Sequence, residues 1–329
     1  MVTQAACGDD DRVSVIIVNW NGERYLARCL AALQAQTHPP AEILLVDNAS
    51  TDDSLAVIRQ FPAVRLLAQD HNTGFAQGNN LALAVAAASS NWIALLNPDA
   101  FAEPEWLAAL LQAARQHRDC AVFASCQLDA ADPQRLDGVG DAYHISGLPW
   151  RKGYGRWRTA ADDQACEIFS ACAAAALYRR DALQAVGGFD EDYFCYVEDV
   201  DLGFRLRLAG HACRYVPTAI VHHVGSATTG GQHSDFALYH GHRNLVWTFF
   251  KDMPAPLFWP LLPLHLALNL FSLVWFARQG HGRVLWRAKR DALRGLPAIW
   301  RKRQAVQRER RIRIGALWRL LEKGVRRRR

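Results

Sequence analysis

The run Val13-Ser14-Val15-Ile16-Ile17-Val18 is rich in β-branched residues and has no helical period, the pattern of a strand buried on both faces. Such a strand needs helices above and below it, so this run restricts the fold more than any other feature. The next segments alternate in kind. Tyr25, Leu26, Cys29, Leu30 and Leu33 recur at helical spacing over 22–36, and His38-Pro39-Pro40 ends the pattern. Glu42-Ile43-Leu44-Leu45-Val46 then reads as a strand, followed by a helix at 53–60, a strand at 63–67, an Ala-rich helix at 76–89 and a strand at 91–96. This βαβαβαβ order predicts an α/β fold, a doubly wound, mainly parallel sheet that binds ligands at the carboxyl ends of its strands. Polar residues gather at those ends: Asn19 and Asn21, Asp47 and Asn48, Asn72, and Asn97 with Asp99.

From 129 to 165 the periodicity dissolves into a stretch rich in Gly, Trp and Arg, expected to form a mobile substrate loop. Order returns over 167–178, at the turn Gly187-Gly188-Phe189-Asp190, and in a helix beginning near Glu198. The expected organisation is a disordered N-terminus (1–12), a body (13–252) and a C-terminal extension (253–329). Within the body, a nucleotide half (13–100) precedes an acceptor half (101–252). The polar, acidic start lacks the basic and apolar runs of a secretory signal, so the body is expected in the cytoplasm. The eight cysteines include no CxxC pair and several lie in apolar runs, which suits buried reduced thiols.

The common phosphate motifs are missing. Gly138-Val139-Gly140 and Gly153-Tyr154-Gly155 lack the third glycine of GxGxxG, and no GxxxxGK[ST] occurs, which argues against a dinucleotide dehydrogenase or a P-loop enzyme. A nucleotide site would then rest on carboxylates. Asp47, just past a strand, suits the N3–H of a uracil or thymine ring and equally suits a helix N-cap. Asp99 ends an apolar strand, where it suits a divalent cation or simply an Asn-Pro-Asp turn. Asp201 and Arg205 have the spacing of a helical ion pair. Asp199 has no such partner and follows the aromatic turn Tyr193-Phe194-Cys195-Tyr196, a setting for a carboxylate that deprotonates a hydroxyl. Either His222 or His223 offers an imidazole to a metal, or both are structural.

Taken in order, VSVIIVNWNGERYLARCLAAL (13–33), LLVDNASTDDS (44–54), NTGFAQGNN (72–80), ALLNPDA (94–100), GGFDEDYFCYVEDVDLGFRLRLAG (187–210), VPTAIVHHVGSAT (216–228) and YHGHRNLVW (239–247) resemble family 2 glycosyltransferases of the GT-A fold, particularly their bacterial rhamnosyltransferase-like branch. The resemblance implies that Asn19, Asn21 and Glu23 border a nucleotide, that Asp47 reads its base, and that Asn72 and Gly74 line the sugar-nucleotide pocket. It implies that Asn97 and Asp99 form the DxD-type motif, that Asp99 and His223 hold Mg2+ or Mn2+, and that Asp199 is the catalytic base. Glu198, Arg205 and Arg243 would stand on the acceptor side, Arg243-Asn244 being a recurrent pair. Two departures stand out: Asn97 replaces the first acid of DxD, and Ser170-Ala171-Cys172 replaces the usual Ser-Gly-Ala. The implied activity is an inverting transfer from a nucleotide-sugar donor, best matched by dTDP-rhamnose, to a lipid-linked saccharide such as a polyprenyl-diphosphate sugar. A UDP-hexose or UDP-N-acetylhexosamine donor is the alternative, and a non-catalytic nucleotide-sugar or nucleic-acid binder the alternative of another class.

The formal charge of +6 hides a split: residues 278–329 carry 19 basic and 3 acidic side chains, a net of about +16, and the rest carries about −10. Before this tail, 256–277 is nearly all apolar and has about the twenty residues a membrane span needs. Its prolines at 256, 260 and 263 leave about fourteen residues of uninterrupted helix, which favours an interfacial or re-entrant anchor. The tail interleaves Trp286, Trp300 and Trp318 with Arg and Lys and closes on Arg326-Arg327-Arg328-Arg329, a composition suited to an anionic membrane surface. No nucleic-acid motif accompanies it, so nucleic acid is not an expected partner. The expected location is the cytoplasmic face of the bacterial inner membrane, peripheral or monotopic.

Overall fold

A computed structural model describes residues 11–225 and 234–324. In chain order it holds β1 (Val13–Asn19), α1 (Glu23–Gln34), β2 (Glu42–Asp47), α2 (Ser54–Ile58), β3 (Val64–Ala68), α3 (Gly74–Val85), β4 (Trp92–Leu96), β5 (Ala100–Ala102), α4 (Trp106–Gln116) and β6 (Cys120–Asp129). There follow β7 (Leu136–Gly138), β8 (Asp141–Tyr143), β9 (Pro149–Arg151), β10 (Cys166–Glu167), β11 (Ala175–Arg179), α5 (Arg180–Ala185), α6 (Glu198–Leu208) and β12 (Ala212–His223). The chain closes with α7 (Asp235–Asp252), α8 (Ala255–Arg278), α9 (Gly282–Arg308) and α10 (Ile314–Leu320).

The main sheet runs β10-β12-β6-β11-β4-β1-β2-β3. Its β3-β2-β1-β4 side is wholly parallel, and beyond β4 the antiparallel β11 makes it mixed. Every residue of β1 is buried. Val13, Val15 and Ile17 pack towards α1 and α4, while Ile16 and Val18 pack towards α3, so alternation along one strand supplies both cores.

Three expectations need correction. Asp11 and Arg12 are not disordered: Asp11 is buried and pairs with Arg115, and the Arg12 carbonyl accepts from the backbone of Asn91 and Trp92. The other residues of that N-terminal segment, and the Arg326–Arg329 cluster, lie outside the described residues. The 129–165 stretch is built rather than loose. It contains β7, the β8–β9 pair and a capped 3-10 turn at Ala160–Asp163, crosslinked by Val139 N–H to the Lys152 carbonyl (3.0 Å) and Asp141 N–H to the Ser170 carbonyl (2.8 Å). Strands of three residues carry no readable hydrophobic period. Finally, α8 runs unbroken through Pro260 and Pro263, held against the body by Phe258, Leu261 and His265. The described cysteines are free thiols, five of them buried, but Cys166 is exposed.

The C-terminal helices are not separate from the body. Trp247 on α7 donates to the Ala292 carbonyl of α9 (3.0 Å), and Lys302 pairs with Asp190 and Asp192. Lys289, pushed down to about 7 by burial, donates to the His242 carbonyl and to Asn269. Part of the basic tail is therefore engaged within the protein.

Candidate active site

A cleft of about 540 Å³ opens at the carboxyl ends of β1, β2 and β4. Its first wall is assembled from β1, β2 and the start of α3. The parallel register sets Asn19 beside Asp47, and the buried Asn19 donates to Asp47 Oδ1 (2.9 Å) and Ser50 Oγ (3.1 Å). Asp47 also accepts from the Ser50 backbone (3.0 Å) and hydroxyl (2.7 Å). It closes the 47–50 turn instead of capping α2, and the cleft wall is formed by the next residue, Asn48. Asn48 is held in turn by the Gly74 carbonyl and the Thr73 hydroxyl. Asn72 lines the cleft and accepts from Gly74 N–H (2.9 Å). Asn21 and Glu23 stand outside the wall: Asn21 accepts from Thr51 N–H, and Glu23 exchanges bonds with Asp52 and Asp53, stapling two loops together.

The floor comes from β4, β5, β7 and β12. Antiparallel pairing sets His223 opposite Ala100, and strand alternation sends its neighbour His222 to Glu103 instead. His223 Nε2 lies 3.3 Å from Asp99 Oδ1 and 3.4 Å from Asn97 Nδ2, and its Nδ1 lies 2.8 Å from Asp137. Burial opposes charge on His223, but the hydrogen bonds to Asp137 and Asp99 outweigh it and hold its pKa up at about 9. Asn97 Oδ1 is buried without a partner among the described residues.

The second wall combines the start of α6 with the β8–β9 pair. Asp199 accepts from Ala173 N–H (3.2 Å). Burial pushes its pKa above the usual carboxylate range, an effect the Ala173 N–H and Arg151 partly offset. Such a shift makes a stronger base. Glu198 and Asp141 are buried beside it, and burial followed by repulsion from Asp199 raises both well above the ordinary range. Arg151 bonds Asp137 (2.5 Å) and Cys172 Sγ (2.9 Å), linking this wall to the floor. Sequence reasoning misses Asp137, Asp141 and Arg151. Two acids four apart in the Gly-rich Asp137-Gly138-Val139-Gly140-Asp141 are the one available signal.

Two expected acceptor-side residues are corrected. Arg205 is buried away from the cleft, bonded to Asp201 (2.8 Å) and the Val186 carbonyl, because the i, i+4 spacing makes a helix ion pair. Arg243 lies over Trp247 and donates to the Asp192 and Tyr193 carbonyls. Asn244 beside it donates to three carbonyls, those of Tyr193, Cys195 and Tyr196. This pair clamps a turn in which Phe194, Tyr196 and Val197 all have positive φ (63°, 66° and 69°). The Phe194 carbonyl accepts from Phe75 and Ala76, so the turn that leads into Asp199 also caps α3. Gly74 has φ +85°, and a Cβ there would sit 2.6 Å from the Phe194 ring.

A cation would have to displace the proton on His223; Asp99, the deprotonated imidazole and the Asn97 side-chain amide would then offer it a carboxylate, an imidazole and an amide oxygen. The Asp137 bond on Nδ1 orients the imidazole as a second partner of such a ligand does. A second group, Asp141, Cys172 and Asp199, brings its ligand atoms within 4.8 Å of one another, but Arg151 already bonds Cys172 Sγ (2.9 Å), and its charge acts on both carboxyl groups.

The family model for glycosyl transferase family 2 matches residues 14–187. The chain belongs to glycosyl transferase family 2. It is 31% identical over 279 residues, 76% of this chain and 89% of the relative, to an N-acetylglucosaminyl-diphospho-decaprenol L-rhamnosyltransferase of Mycobacterium tuberculosis. The fold is similar to a mannosyltransferase from Pyrobaculum calidifontis in complex with GDP-Man and Mn2+ (TM-score 0.56, 18% identity, 91% of this chain and 84% of that one). It is also similar to GalNAc-T7 with UDP, GalNAc and Mn2+ (TM-score 0.59, 17% identity, 73% and 48%). This family 2 glycosyltransferase thus has the mixed α/β sheet of the GT-A fold, as the order of its motifs implied.

Proposed function

We propose that the enzyme transfers L-rhamnose from dTDP-rhamnose to a hydroxyl of N-acetylglucosamine carried on a polyprenyl diphosphate, inverting the anomeric centre. The observation that carries this reading is the similarity to the mycobacterial rhamnosyltransferase over most of both chains. Asp199, held by Ala173 N–H at the cleft wall, takes the acceptor proton while the oxygen attacks opposite the diphosphate. One displacement by one base inverts configuration, so no carboxylate nucleophile is required. Asn97, Asp99 and His223 hold a divalent cation, which when bound supplies charge stabilisation to the departing diphosphate. Asn48, Asn72 and Gly74 form the nucleotide-sugar wall, with Asn19 and Asp47 fixing it from behind.

A lipid-linked acceptor calls for a membrane surface. α8 is the helix among the described residues long and apolar enough to cross a bilayer. Its buried stripe docks on the body, with His265 bonded to the Ser146 carbonyl (2.8 Å) and Asn269 to Lys289. The opposite side exposes Trp259, Leu266, Leu270, Phe271 and Trp275. One docked side and one apolar side support an in-plane anchor, and the basic charge of α9 and the tail suits the anionic headgroups of a cytoplasmic face. Incubating the full chain and Mn2+ with decaprenyl-diphosphate N-acetylglucosamine and a panel of nucleotide sugars tests the reading. Rhamnose transfer is expected; preference for a UDP-hexose would replace the donor, and transfer from none would sink the proposal.

A further inference from the structure

Next to Asp199 lie two buried carboxyl groups that the displacement itself does not use. Asp141 is 5% exposed and Glu198 6%, yet both line the cleft. Asp141 Oδ2 and Glu198 Oε2 have no hydrogen-bond partner among the described residues. A buried polar atom left unpaired costs about 1–3 kcal/mol, so such atoms at a cleft wall call for a ligand that satisfies them. The matching chemistry is narrow. A cation is disfavoured because Arg151 bonds Asp137 and Cys172 in the same space. An anion is disfavoured by Asp137, Asp141, Glu198 and Asp199 together. A neutral molecule dense in hydroxyl groups satisfies both conditions.

The third side of this space has the other half of a sugar site. Trp150 on β9 and Tyr154 just beyond it line the cleft, and Tyr154 is 43% exposed. Register holds this wall to the carboxyl group, since Asp141 pairs with Arg151 across β8 and β9. A pyranose ring presents C–H bonds on its faces and hydroxyls at its edge, so it fits aromatic walls with carboxyl groups at the rim.

We propose that Asp141, with Trp150 and Tyr154, forms the seat for the acceptor pyranose, Asp141 bonding a ring hydroxyl other than the one that attacks; this rests on the glycosyl transfer to a lipid-linked sugar argued above. Glu198 takes a further polar group of the same sugar from the opposite rim. Burial and the neighbouring charge of Asp199 raise Asp141 well above the ordinary carboxylate range, a shift toward the protonated form that can donate as well as accept. Specificity for the acceptor then resides in the 137–154 segment, on the far side of Asp199 from the nucleotide wall.

The test uses the full chain with decaprenyl-diphosphate N-acetylglucosamine and its 3-, 4- and 6-deoxy analogues. Asp141→Asn is expected to raise the acceptor KM about tenfold while the donor Kd stays within about twofold. One deoxy analogue that still reacts should lose about tenfold in kcat/KM with the unmodified enzyme and less than about twofold further with Asp141→Asn, the signature of a shared contact. Trp150→Ala, on a partly exposed strand, should raise the acceptor KM without moving the pH profile of kcat, and decides the matter if Asp141→Asn does not fold. Equal losses for every analogue in both proteins, or a donor Kd that weakens as much as the acceptor KM, would overturn the seat. Failure of the rhamnose reading looks different: the unmodified enzyme then uses another donor or none, and with another donor the same acceptor comparison still decides the seat.

Discussion

The two walls of the cleft are built on opposite terms. On the nucleotide side, Asn48 and Asn72, which line the cleft, bond neighbouring protein groups, and behind them Asp47 is bonded to Asn19 and Ser50 while Asn19 keeps one unpaired oxygen. On the wall proposed for the acceptor, Asp141 and Glu198 are buried with an oxygen unpaired, and both feel the charge of Asp199. Lining groups already bonded to protein hold their geometry, which suits the proposed nucleotide-sugar wall. An unsatisfied wall stores a desolvation penalty that the correct acceptor relieves, which couples binding to selection. The strained turn at 193–197 joins the two, because it caps α3 on one side and leads into Asp199 on the other.

This contrast can be broken at several points. The largest effect is expected from Asp199→Asn, which should lower kcat about 10³-fold while donor affinity, measured by calorimetry, stays within about twofold. A parallel loss of donor affinity would mean the walls are not independent. Asn244→Ala removes the donor that serves three carbonyls of the strained turn and should destabilise the protein by about 2–3 kcal/mol in thermal unfolding. Both acceptor turnover and donor affinity should fall, since the turn belongs to both walls. Gly74→Ala should cost about 2 kcal/mol through its positive φ and the Phe194 contact, with donor affinity falling more than acceptor KM rises.

A smaller effect concerns acid. Burial works against charge on Asp162, but its bonds to Arg156 and Thr159 bring its pKa down to about 2. Because an unfolded aspartate titrates near 3.9, this contribution is complete above that pH and is lost as pH falls from about 4 to about 2. Asp162 belongs to the acceptor-side segment, so hydrogen exchange at low pH should rise over 135–163 before it rises in β1 and β2. Simultaneous loss in both regions would remove that distinction.

The legibility of the molecule follows the same division. Long hydrophobic runs with clear periods announced β1, α1, β2 and α3, polar residues after strand ends pointed to Asn72 and Asp99, and Asp199 stood out as an acid without a helical partner after an aromatic turn. Asp137, Asp141 and Arg151 lie in strands of three residues, too short for a period to register, and their importance comes from pairing across the chain. Arg205 and Arg243 carry the right charge in the right segments but turn to Asp201 and to the aromatic turn. The resemblance had already singled out His223, and the register of β5 against β12 sets it beside Asp99 while His222 turns to Glu103.

The amino-acid sequence alone was enough for the parallel half of the sheet, the family, and the carboxylates at its strand ends, since local periodicity and motif order carry that information. Which groups meet at the cleft came from the folded arrangement: His223 between Asp99 and Asp137, Asp141 beside Asp199, and α8 docked along one side with the other left apolar. Those outcomes depend on contacts between residues tens to more than a hundred positions apart, and no local pattern encodes how distant segments align.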